Sequence, residues 1–114
     1  MDVLQVVKIV AAVGTIAAGA TSILSPQSAE SFTGLSVVGP RGTSEIRAVL
    51  GALFVGLGAA ALFFRSPDAY RTVGVGYGAI AVTRLASIVF DRASTSSNWI
   101  SLASEVAFAF VLLL

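Results

Sequence analysis

The chain has no cysteine and no histidine, and of its 114 residues only seven are lysine or arginine and six are aspartate or glutamate. Without thiol or imidazole there is no disulfide, no thiolate nucleophile, no haem ligand and no Cys/His zinc site, and the sequence implies no cofactor or metal. A net charge of +1 with no run of Lys or Arg supplies no field for nucleic acid and no polybasic patch for anionic lipid. Proline occurs only at Pro26, Pro40 and Pro67, so helix-breaking punctuation is sparse. What remains is apolar. Hydrophobic residues make up 56% of the chain and the mean hydropathy is +0.92, more apolar surface than a chain this short could hide from water. In a bilayer the requirement inverts: outward faces stay apolar, and the backbone polar groups must be paired internally, which for these segments means helix.

The pattern predicts an all-α transmembrane four-helix bundle, a single domain over 1–114, with spans at 3–24, 45–64, 69–90 and 98–114. Ala18-Gly19-Ala20 resembles a signal-peptide cleavage site. The preceding apolar run is too long for one, Asp2 stands where a positive n-region belongs, and Lys8 lies inside the run, so a first span is expected. Ser25-Pro26 ends that span. The longer first loop is expected to carry a short interfacial helix from Pro26 to Phe32, with Ala29, Phe32 and Leu35 facing lipid and Gly34 closing it. Gly39-Pro40 and Gly42 mark an irregular connection, and Thr43 or Ser44 is the expected N-cap of the second span. Ser66-Pro67 opens the third span, and Trp99 sits at the interfacial level of the fourth. Small residues at Gly14 and Ala18, at Ala52, Gly56 and Ala60 with Gly51 and Gly58 nearby, and at Gly74 and Gly78 suit close helix contact, within the bundle or in a homo-oligomer. Membrane lipid is the partner the composition demands. No soluble partner is indicated.

The few charges are unusually placed. With alternating spans, the end of span one, the start of span two, the end of span three and the start of span four share one side of the membrane. Arg84 stands seven residues before Asp91, and Glu105 seven past Asn98, each on the order of 10 Å below that surface. A charge at such depth faces the bundle interior and takes a partner. Arg84 with Glu105 is the expected pair, since a guanidinium grips a carboxylate bidentately. Glu45 complements the helix N-terminus of span two, whereas Arg47 opposes it and so calls for a carboxylate, Asp91 or Glu105. Tyr77, Arg84 and Asp91 recur at heptad spacing, and Ser101, four residues before Glu105, can add a hydroxyl. The candidate polar cluster is therefore Glu45, Arg47, Tyr77, Arg84, Asp91, Ser101 and Glu105. Lys8 lies toward the opposite side and is expected to snorkel.

The stretch Glu45-Ile46-Arg47-Ala48-Val49-Leu50-Gly51-Ala52-Leu53, the glycine-rich span after it, Thr83-Arg84-Leu85 with Asp91, and Glu105 in the last span follow one another in an order that resembles a family. It is a bacterial domain-of-unknown-function family of small four-helix membrane proteins in the DoxX-like group, and the resemblance covers essentially the whole chain. It implies a four-helix membrane bundle in a bacterial inner membrane, and no activity, cofactor or catalytic residue.

Three function classes stay open: a structural or accessory bundle held by a buried Arg/Glu network, a carrier or channel for protons or small solutes using Arg84 and Glu105, and a protein binding lipid or another apolar ligand near Arg84 and Tyr77. Enzymatic chemistry is poorly served, because only Glu45, Asp91 and Glu105 among the carboxylates can converge and no nucleophile or metal cluster accompanies them. The distribution of Arg65 and Arg71 against Arg41, Arg47 and Arg92 is nearly even, with both termini placed in the cytoplasm.

Overall fold

In the computed structural model, which describes Met1–Leu114, the chain is all helix and connection, with no strand. Helix α1 spans Val3–Leu24, α2 Pro26–Thr33, α3 Gly39–Phe64, α4 Pro67–Phe90 and α5 Ser96–Leu113. Four of the five, all but α2, are long and apolar enough to cross a membrane. At about 1.5 Å per residue the shortest of them, α5 with 18 residues, measures about 27 Å, near the ~30 Å thickness of a hydrocarbon core. Large apolar side chains stand outward along these helices, with Val82 72% and Phe63 83% exposed, surface that lipid tolerates and water does not.

Local chemistry explains where the helices start and stop. Asp2 and Gln5 cap α1 reciprocally: the Gln5 amide donates to Asp2 Oδ1 at 2.8 Å and the Asp2 amide to Gln5 Oε1 at 3.1 Å. Pro26 sits at the first position of α2, and Gly34, at φ 79°, closes it in the left-handed conformation with its N–H on the Glu30 carbonyl. Ser66 Oγ accepts from the Ala69 amide ahead of α4, and Thr95 Oγ1 accepts from the Asn98 amide ahead of α5.

The start of α3 departs from expectation. The helix begins at Gly39 rather than at 45, with Val38 and not Thr43 or Ser44 at the N-cap, because Pro40 is compatible with a first helical turn and Gly39, at φ 75°, lets the chain bend into it. Over Ile46–Ala52 the same helix widens to π geometry, the Leu53 amide reaching back five residues to the Ala48 carbonyl. Ala29 of α2 is buried, and only Phe32 and Leu35 of the expected lipid-facing trio are exposed.

The contacts gather into two compact units, Ala12–Phe64 and Met1–Ala11 with Arg65–Leu114. In the first, α1 and α3 meet through glycine. A Cβ on Gly19 would collide with the Gly51 carbonyl oxygen, and one on Gly58 would lie 2.8 Å from the Ala12 oxygen, so side chains at these points would force the backbones apart. The close face is Gly51 with Gly58, a heptad apart, whereas Gly56 has nothing within 4 Å. In the second unit α4 and α5 run antiparallel. Gly74 lies under Leu112 and Leu113, and Tyr77 packs edge-on against Phe108 with ring centroids 5.3 Å apart. Lys8 does not snorkel: it is buried, with Nζ 5.7 Å from the centre of the Tyr70 ring.

Candidate functional site

Beyond Tyr77 and Phe108, the α4/α5 seam turns from apolar to charged. Glu105 is buried on α5, and its carboxylate takes the side edge of the Arg84 guanidinium: Nε donates to Oε1 at 2.8 Å and to Oε2 at 3.0 Å, and Nη2 donates to Oε2 at 2.8 Å. Nη1 donates to Asn98 Oδ1 at 2.8 Å, while Asn98 Nδ2 donates to the Ala93 carbonyl at 2.9 Å. The arginine thus links two turns of α5 through one planar group, and the asparagine that receives it is held by the loop just before that helix. Side-chain exposure is 30% for Arg84 and 10% for Glu105, so the acid is the more deeply enclosed partner. No buried side-chain nitrogen or oxygen lacks a hydrogen bond, the condition that a low-dielectric surrounding imposes.

Arg84 also forms part of the wall of an open groove of about 440 Å³, lined by Ala79, Ile80, Thr83, Arg84 and Ser87 of α4 and by Asn98 of α5. The α4 residues fall on one helical stripe. Hydroxyl, amide and guanidinium groups gather toward the end of the groove near Ser87 and Asn98, and Ala79 and Ile80 form the other end.

The other expected members of the cluster serve their own surroundings. Arg47 meets a carbonyl where a carboxylate is expected: Nη1 donates to Ile23 O at 2.6 Å. Ile23 lies in the last turn of α1, where a helix leaves carbonyls without internal partners and favours a cation, so the arginine is satisfied there. Glu45 is bound by Arg41, with Nη2 at 2.8 Å and Nε at 2.9 Å from Oε1, in an exposed i,i+4 pair. Asp91 Oδ2 accepts from Ser87 Oγ at 2.7 Å at the exposed end of α4. Tyr77 contributes its ring to Phe108, and Ser101, half-buried, makes no hydrogen bond to Glu105. The buried ion pairing is therefore one bridge, Arg84 with Glu105; the pairs Arg41–Glu45 and Arg71–Asp68 lie in the open.

Asn98 is the member that sequence reasoning missed. Its signal is its place seven residues before Glu105, which puts both on one face of α5. No group of three or more His, Cys, Asp or Glu side chains assembles that could hold a metal ion.

No curated protein and no solved structure matches the chain. Residues 3–114 match a family model described as Domain of unknown function (DUF4345), and the chain belongs to that family.

Proposed function

We propose that this is a small structural or accessory protein of the membrane, one transmembrane domain whose α4/α5 hairpin is locked by the Arg84–Glu105 bridge. The observation that carries the proposal is the side-on grip of that pair with Asn98 completing it, a geometry that fixes both the register and the rotation of two apolar helices. Dispersion alone distinguishes such registers weakly in lipid, and a charged pair penalises every alternative in which either partner is left alone. On this view α2 lies along the bilayer surface, the membrane is a bacterial inner membrane with both termini in the cytoplasm, and the family falls in the DoxX-like group, as the order of Glu45, Arg47, Arg84, Asp91 and Glu105 suggests.

The test is Glu105→Gln reconstituted in liposomes beside the wild type. Loss of stability with no change in proton or solute flux is the expected result. Altered flux through a protein that remains folded would replace the structural role with a carrier.

The groove favours a second role, binding of a lipid or another apolar ligand. Its volume lies within the ~300–1,000 Å³ typical of small-molecule sites, and its few polar groups converge at one end. Ligand that co-purifies with the wild type and is displaced by filling the groove would support it.

A further inference from the structure

Glu105 and Asn98 together engage three of the five N–H donors of the Arg84 guanidinium: the one on Nε, one on Nη1 and one on Nη2. One donor on each Nη is left over, on a side chain that is 30% exposed and forms part of the groove wall. We infer that this groove seats one acyl chain of an ester-linked membrane lipid, with the ester carbonyl oxygen accepting from the remaining Arg84 donors. The inference rests on the ligand-binding role just proposed and names its substrate class.

Three features select this occupant. Charge is the first: Arg84 and Glu105 neutralise each other, so an added anion would stand uncompensated in a low-dielectric setting, whereas a carbonyl brings an acceptor and no net charge. Polarity is the second. Ser87 and Asn98 line the end of the groove near the helix termini, and Ile80 lies seven residues, about 10 Å, deeper along α4, the same order of polar linkage and apolar tail that a lipid presents. The third is size. The open groove of about 440 Å³ runs about 10 Å along α4 from Ser87 to Ile80, the dimensions of part of one chain laid along the helix.

The test compares retention of two phosphatidylcholines with the same headgroup and tail length, one ester-linked and one ether-linked, by native mass spectrometry of the detergent-solubilised protein. Ala79→Phe is the blocking variant: it fills the apolar end and leaves Arg84, Asn98 and Glu105 in place, and its thermal unfolding is measured alongside to show that the fold is kept. The ester lipid should be retained about tenfold over the ether lipid by the wild type, the effect of one hydrogen bond to a charged donor, and Ala79→Phe should reduce both to background. Equal retention of ester and ether, abolished by Ala79→Phe, would overturn carbonyl recognition while leaving a lipid site. Preference for an ether-linked phosphatidylglycerol over the phosphatidylcholine ester would overturn it in favour of an anion. Retention untouched by a folded Ala79→Phe would remove the groove as a ligand site altogether.

Discussion

Replacing Glu105 by Gln keeps the shape of the side chain and removes one charge. In the native pair both carboxylate oxygens accept, Oε1 and Oε2 from Nε and Oε2 also from Nη2. Glutamine has one acceptor oxygen. If that oxygen keeps Nε, the amide nitrogen takes the place of Oε2 and presents its hydrogens to Nη2, donor against donor. One charge-assisted bond, worth about 1.5–3 kcal/mol, is lost, and the survivor falls toward the strength of a bond to a neutral acceptor. Because Arg84 is 30% exposed and recovers some solvation, the net destabilisation is expected at about 2–3 kcal/mol. Arg84→Leu should cost more, about 3–5 kcal/mol, since it strands the more enclosed acid. Changing both residues to Leu removes the charges together and should bring stability back to within about 1 kcal/mol of the wild type. Equilibrium unfolding in mixed detergent micelles, read by circular dichroism, measures these three and the single Glu105→Leu that completes the cycle. A double variant whose loss equals the sum of its parts, or a Glu105→Gln protein as stable as the wild type, would refute the claim that the bridge acts as a unit.

Glycine positions separate the packed helix face from the open one. Gly51→Val places a branched side chain where a Cβ already meets Ile23 Cγ1 at 2.6 Å and the Gly19 oxygen at 3.0 Å, and should cost about 3 kcal/mol or more in the same unfolding assay. Gly56→Ala meets nothing within 4 Å and should be neutral or stabilising by up to about 1 kcal/mol, the helix propensity difference. Ser66→Ala deletes the acceptor for the Ala69 amide at the head of α4 and should cost about 1 kcal/mol. Asn98→Leu takes the acceptor from Arg84 Nη1 while leaving Glu105 in place, so it should destabilise by about 1–2 kcal/mol, less than Glu105→Gln.

Periodicity and charge scarcity carried the large features because in lipid they are the fold's main physical constraints. A run of apolar residues long enough to cross has one backbone solution, and two opposite charges set well inside the facing ends of consecutive helices have one inexpensive arrangement. That makes the four long helices and the Arg84–Glu105 bridge legible. Details governed by backbone geometry were not. Gly39-Pro40 reads equally as a turn or as a first helical turn, and the widened segment Ile46–Ala52 has no composition of its own. Side-chain directions counted at 100° per residue no longer hold through that segment, and Arg47, near its start, donates to the Ile23 carbonyl within the α1/α3 unit. Charge counting alone assigns an arginine to a carboxylate, whereas the carbonyls in the last turn of α1, whose end Ser25-Pro26 marks, also accept from a cation.

The choice of arginine at position 84 connects the two proposed roles. A lysine opposite Glu105 would supply one point charge and could neutralise the acid, but its single nitrogen could not lie along both carboxylate oxygens and reach Asn98 within one rigid plane. The guanidinium satisfies the acid along one edge, ties the start of α5 with Nη1, and still carries donors beyond those contacts. A residue chosen only to neutralise Glu105 has no need of that surplus or of a place in the groove wall. A residue that both locks the hairpin and offers hydrogen bonds to an uncharged ligand needs both, and the planar five-donor group is the side chain that provides them without leaving a net charge in the membrane.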